Sequence, residues 1–281
     1  MYVVRQSRWR QKMTDVVMKR KAHLMSGSGA FALTEERVSE VCDSVTQRVR
    51  ELFKDVKDQA HDLTHVLRVT EHVQQASSSA SLDDGQRLAV VLGALLHEAD
   101  DYKLFKTKDD ENARQILSAV LNPEETSQLA DLVIEIINLV GCAKNKNGDV
   151  DVESRWKLLV RDADRIEAMG EVGIARCFAY NQKTCAPFFV NTTPRPSSAQ
   201  EVWRFATPER FAAYNGDSKS MIDHYYDKLL HLNKSATGNV YLQEQMDAQV
   251  QVMVDFVLSF GRTGEIDVAA LEDLKAKWCG E

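Results

Sequence analysis

The sequence predicts an all-α protein, on three observations. Apolar residues recur every three to four positions along most of the chain. No run shows the sustained period-2 alternation of a half-buried strand. With only 13 Gly and 5 Pro in 281 residues, long helices are favoured over a turn-rich β architecture. The expected organisation is a basic extension over residues 1–33 and one helical domain over 34–281.

The elements follow in order. Thr34-Glu35-Glu36-Arg37 reads as an N-cap with acids in the first turn, and Val38, Val41, Val45, Val49 and Leu52-Phe53 continue at helical spacing. Further helix signals cover about 62–79, 84–100, 108–121, 123–140, 154–180, 217–233, 238–261 and 266–278. Asn122-Pro123 separates two of them, with Pro at a favourable first-turn position. Asn145-Lys146-Asn147-Gly148-Asp149 is a polar turn. The segment 181–216 holds four of the five prolines and reads as an irregular excursion, either a lid or interaction loop or a tolerated surface insertion.

Composition narrows the function classes. The net charge of −7 divides into +6 over residues 1–30 and −13 over the rest. So acidic a body argues against general nucleic-acid binding, which relies on basic patches. It leaves room for a small anionic substrate held by a metal and a few Lys or Arg. No apolar run approaches the roughly 18 residues of a membrane span. The five cysteines are scattered without a C-x-x-C pair, which suggests reduced thiols inside the cell. The cytoplasm is the expected compartment, although the Arg-rich N-terminus is also compatible with an organelle transit peptide. Monomer and homodimer both remain open.

Four distant segments carry the chemistry. They are His61-Asp62-Leu63-Thr64-His65 with Arg68-Val69; Leu95-Leu96-His97-Glu98-Ala99-Asp100-Asp101; Arg161-Asp162-Ala163-Asp164-Arg165; and Asp223-His224-Tyr225-Tyr226-Asp227-Lys228. Together they offer imidazoles and carboxylates, a mixed N/O donor set suited to a divalent metal such as Mn²⁺, Fe²⁺ or Zn²⁺. Such a metal lowers the pKa of a bound water and polarises a phosphoryl oxygen. His97 and Glu98 follow directly on an apolar helix, Val90 to Leu96, where polar groups need partners. A metal supplies one; a capping hydrogen bond is the alternative. Asp62 reads as an N-cap, and His61 either joins it in capping or shares a helix face with His65.

The order of these segments resembles the HD superfamily of metal-dependent phosphohydrolases, and within it the bacterial-type nucleotide pyrophosphohydrolases. The third segment extends through Ile166-Glu167-Ala168-Met169-Gly170 to Gly173-Ile174-Ala175-Arg176-Cys177-Phe178-Ala179-Tyr180, and the fourth runs from Ile222 to Leu230. The resemblance spans about residues 35–262. It implies an HD/phosphodiesterase-like helical bundle and metal ligands at His65, His97, Glu98 and Asp164. Glu98 departs from the family's Asp: it keeps the charge but is longer by one methylene, so the site must shift or change denticity. Asp162 and Glu167 are candidates to orient ligands or waters, with Arg161 and Arg165 pairing with them at the surface. Asp101 matches an acid that would orient or deprotonate the attacking water. Arg68, Lys103, Lys144, Lys146 and Lys228 are candidate phosphate contacts, and His224 shares a helix face with Lys228. Asp100 and Asp101 also admit a reading as plain surface charges.

Of the seven histidines none lies between His97 and Asp164, where two-metal relatives place further ligands. The expected cofactor is therefore one divalent ion, Mn²⁺ before Fe²⁺, Co²⁺, Mg²⁺ or Zn²⁺. The resemblance implies hydrolysis of a (deoxy)nucleoside triphosphate to monophosphate and pyrophosphate. A nucleotidase or phosphodiesterase on the same site, and a non-catalytic nucleotide-binding protein, are the alternatives.

Overall fold

The computed structural model describes residues 33–56, 62–141 and 154–279. Among them are twelve α-helices and no strand. They are α1 (Glu35–Phe53), α2 (Leu63–Ser79), α3 (Asp84–Leu96), α4 (Glu111–Val120), α5 (Pro123–Asn138), α6 (Leu159–Glu167), α7 (Gly170–Thr184), α8 (Ala199–Phe205), α9 (Pro208–Ala213), α10 (Met221–Asp227), α11 (Val240–Thr263) and α12 (Val268–Cys279). Short 3-10 turns at Arg155–Leu158 and Leu229–Leu232 adjoin α6 and α10. No described helix is long and apolar enough to cross a membrane. The basic N-terminus, His61, Lys144 and Lys146 lie outside the described residues.

Local sequence explains most of the helix starts. The side chains of Thr34, Asp62, Asp83 and Asn122 each accept a backbone N–H from the first turn of the helix that follows. Asp83 with Gln86 and Asn122 with Glu125 complete capping boxes, and Pro123 stands at the first turn of α5. On α1 the buried positions are Val41, Cys42, Val45, Val49 and Phe53, the stripe that the spacing predicts.

The helix α3 is the centre of the bundle. Leu88 through Leu96 are all buried, so it is apolar on every side. It packs against α1, α2, α5 and α6. The approach to α5 is close, since a Cβ on Gly93 would stand 2.7 Å from Cγ2 of Ile136. In turn, α2 and α6 pack on each other, and α11 covers α2, α6 and α7. Two consecutive helices, α2 and α3, and the distant α6 thus meet pairwise.

Two expectations need correction. The helix predicted over 154–180 is three pieces: a 3-10 turn, α6 and α7. It breaks at Ala168-Met169, and Gly170 takes φ +62°, which an L-residue adopts only with strain. The segment 181–216 is not irregular throughout. It contains α8 and α9 and is tied down at several points. Pro187 and Phe188 carbonyls accept the N–H groups of Met221 and Ile222 at 2.9 and 3.0 Å. Tyr226 donates to the Pro194 carbonyl at 3.1 Å, and Val202 is fully buried.

Candidate metal centre

The N-terminus of α2, the C-terminus of α3 and the middle of α6 converge on one point. Asp62 caps α2 by accepting the N–H of His65 at 2.9 Å, which fixes the first turn and holds His65 inside it. His65 is 1% exposed. The apolar α3 ends at its C-cap, His97. There the ring Nδ1 lies 2.7 Å from the Ala94 carbonyl. A carbonyl only accepts, so Nδ1 carries the proton and Nε2 is left with its lone pair. That Nε2 stands 3.3 Å from Nε2 of His65.

Two carboxylates complete the group. Asp164 Oδ1 lies 3.2 Å from His65 Nε2 and 3.9 Å from His97 Nε2. Glu98 Oε1 lies 3.8 Å from both. All four donor atoms fall within 4.8 Å of one another. Donors about 2.1 Å from a shared cation stand roughly 3 to 4 Å apart, so the spacing suits one ion. His65 Nδ1 is buried without a hydrogen-bond partner, so no protein donor opposes its carrying the proton and leaving the Nε2 lone pair for a metal. The residues present therefore fit a single divalent metal, with Glu98 reaching the group despite its extra methylene.

The electrostatics favour the same use. Burial, with the Arg176 charge added, holds His65 well below the ordinary histidine value. Burial lowers His97 too, against the opposing pull of Asp164. Both imidazoles are thus neutral, the form that binds metal. Burial works to raise Asp164, but its contacts with His65, His97 and Arg176 outweigh that and hold its carboxyl below the usual range. The group is two neutral nitrogens and an anionic oxygen, with a second carboxylate beside them.

The neighbouring acids have other partners. Asp162 is fully buried and accepts from Ser235 Oγ, the Ala236 N–H, and both the N–H and hydroxyl of Thr237, at 2.8–3.2 Å. It clasps the start of α11 onto α6 and does not join the metal group. Glu167 Oε2 lies 2.7 Å from Arg68 Nε, and its Oε1 lies 3.6 Å from His72 Nε2. His72 Nδ1 in turn meets the Tyr241 hydroxyl at 2.9 Å. Arg161 and Arg165, expected at the surface, are 1% and 7% exposed, because α6 is enclosed by its neighbours. Asp100 accepts the N–H groups of Asn112 and Ala113 at 2.9 Å and so caps α4 from a distance.

The candidates for water and phosphate each have partners of their own. Asp101 follows the ligand pair, and its Oδ1 accepts the N–H of Lys103 at 2.8 Å. Lys103 Nζ stands 5.5 Å from the ring centre of Tyr180. The Arg68 guanidinium lies between Glu167 and the ring of Trp278, 5.9 Å from that ring's centre. His224 and Lys228 both approach Tyr214: the two rings are 5.4 Å apart and the ammonium is 5.7 Å from the tyrosine ring. Burial and the Lys228 charge push His224 down to about 3.

Arg176 is the residue that sequence reasoning passed over. It lies on α7, donates from Nη1 to the Glu167 carbonyl at 2.9 Å, and brings positive charge to His65, His97 and Asp164. Its place within the third motif was visible, but a lone Arg on a helix carries no sign of what its helix packs against.

No protein-family model matches the chain. Protein L803 of Acanthamoeba polyphaga mimivirus is 35% identical over 227 residues, which is 75% of this chain and 93% of the viral protein. Among solved structures, an HD-superfamily hydrolase from Bacillus thuringiensis aligns over 79% of this chain and 96% of its own, with TM-score 0.54 and 21% identity. Bacillus subtilis YpgQ in complex with ADP aligns over 80% and 96%, with TM-score 0.53 and 20% identity.

Proposed function

This chain belongs to one family with the mimivirus protein L803 and has the helical fold of the HD superfamily, and from that premise we propose that it is a divalent-metal-dependent phosphohydrolase acting on nucleoside triphosphates, releasing pyrophosphate and a nucleoside monophosphate. One observation carries the reading: His65, His97, Glu98 and Asp164 present their donors at one point, with both imidazoles neutral and Asp164 ionised. These four would hold the ion, for which Mn²⁺ is the first choice. When bound, the ion supplies Lewis-acid charge and a lower pKa for the attacking water.

The chain's own residues do the rest. His97 is held in one tautomer by Ala94, and Asp62 fixes the turn that carries His65. Asp101 orients the water, and Lys103, Arg68, His224 and Lys228 are the phosphate-binding side chains of the proposal. The nucleotide substrate is supported by YpgQ, whose structure holds ADP, together with the motif resemblance.

The test is metal analysis with product identification. The expected result is one transition metal per chain, lost in His97→Ala and Asp164→Ala, and pyrophosphate released from nucleoside triphosphates with Mn²⁺. Orthophosphate as the released product would instead assign a nucleotidase. Full activity in His97→Ala would end the proposal.

A further inference from the structure

The metal group accounts for the reacting phosphate and leaves the rest of a nucleotide without a place. Two stretches of chain leave the group and meet again, Lys103 on one and Tyr180 on the other. After Glu98 the backbone turns, with the Asp101 N–H donating to the Glu98 carbonyl at 3.2 Å. Asp101 then accepts the Lys103 N–H at 2.8 Å, which sets the direction of that lysine. After Asp164 the chain runs one turn to Glu167, whose carbonyl receives Nη1 of Arg176 at 2.9 Å. The guanidinium therefore sits at the C-terminal end of α6, beside the ligands. Tyr180 is four residues further along α7, on the same face as Arg176. Its side chain is 45% exposed, and Lys103 Nζ stands 5.5 Å from its ring centre.

We infer that Arg176, Lys103 and Tyr180 form a subsite adjoining the metal group, in which the two cations take non-reacting phosphate oxygens and the exposed ring of Tyr180 stacks on the nucleobase. The inference deepens the phosphohydrolase reading and rests on it for the bound ion. Aromatic stacking accepts any base, because every base has a π-face. A subsite of this kind therefore gives affinity for nucleotides over bare polyphosphate with weak discrimination among bases. The Arg176 charge that lowers the imidazoles would also favour an anion at this place. A tyrosine that merely decorates the surface would contribute nothing to ligand affinity.

The experiment is calorimetric binding of two probes in Mn²⁺, an α,β-methylene nucleoside triphosphate and inorganic tripolyphosphate. Tyr180→Ala is expected to weaken the nucleotide analogue about tenfold while leaving tripolyphosphate within about twofold, since only the former has a base to stack. Tyr180→Phe should bind both as the parent does, because the ring is retained. Lys103→Ala should weaken both probes. Unchanged analogue binding in Tyr180→Ala, equal losses for both probes, or no analogue binding by the parent would each overturn the subsite. Hydrolysis is measured separately. The binding pattern without Mn²⁺-dependent hydrolysis keeps the subsite and removes the phosphohydrolase reading. Hydrolysis with no effect of Tyr180→Ala on analogue binding does the reverse.

Discussion

Glu98 is the one proposed ligand whose residue type departs from the pattern this chain resembles. Its Oε1 is 3.8 Å from each imidazole Nε2, so the longer side chain still reaches the group. Glu98→Gln keeps the length and removes the charge. It should weaken Mn²⁺ by more than the 10–100-fold typical of losing an outer partner of a ligand, whereas Glu98→Asp should retain measurable binding; titration with chelator competition reads both. Equal affinity in the parent and Glu98→Gln would place this carboxylate outside the metal's ligand set. His224 gives a second test, through pH. Its folded-state value, about 3, lies below its ordinary value of 6.5. Between the two the unfolded chain binds one more proton than the folded one. Stability therefore falls as pH drops from 6.5 towards 3, by at most about 1.4 kcal/mol per unit from this group, and is indifferent to it above 6.5. In metal-free protein His65 and His97 act in the same direction. Thermal unfolding of His224→Asn between pH 5 and 7.5 should show a shallower decline than the parent; identical slopes would remove His224 from the account. At this scale sequence reads well what is local. Asp62 was legible as a cap because it and its helix are adjacent. The burial of Arg161, the distant capping by Asp100 and the place of Arg176 were not, because each depends on which helices pack together.

The junction of α6 and α7 decides where Arg176 and Tyr180 go. A Cβ on Gly173 would stand 2.3 Å from the Ala168 carbonyl oxygen and 2.4 Å from its carbon. The obstacle is backbone, which cannot swing aside as a side chain does. Gly173→Ala should therefore cost at least the roughly 1–3 kcal/mol of ordinary overpacking, despite the better helix propensity of Ala. Chemical denaturation measures this directly, and a stability equal to the parent's would mean that the junction moves freely. The break itself was hidden in the sequence. Residues 154–180 keep helical spacing throughout, and isolated glycines such as Gly170 and Gly173 inside such a pattern are usually tolerated. What separates α6 from α7 is the backbone of three residues: Ala168 leaves helical geometry, Met169 is extended and Gly170 takes positive φ, states without a periodic signature. The starts of α1, α2 and α5 were readable for the opposite reason, since Thr34, Asp62 and Asn122-Pro123 mark them. The stretch 181–216 misled in another way: its prolines suggested irregular chain, yet Ser198 and Thr207 cap two short helices within it.

Across the whole molecule the all-α fold and the motif order could be read in advance, because periodicity and residue type suffice for both. The pairwise meeting of α2, α3 and α6 could not, since nothing within each helix names its neighbour. That meeting has a consequence beyond chemistry. An ion held by His65, His97, Glu98 and Asp164 would be a crosslink between the consecutive α2 and α3 and the distant α6. Binding only the folded state, it adds about 2.7 kcal/mol at a hundredfold excess over its Kd. The gain would not be spread evenly over the bundle. Backbone amides of α2, α3 and α6 should slow together in hydrogen exchange when Mn²⁺ is added, and chelator should restore their separate rates. Uniform slowing of every helix, or none, would show that the ion does not join these three. In the loaded protein, opening any one of them would mean releasing the ion from the other two, so three openings become a single cooperative event.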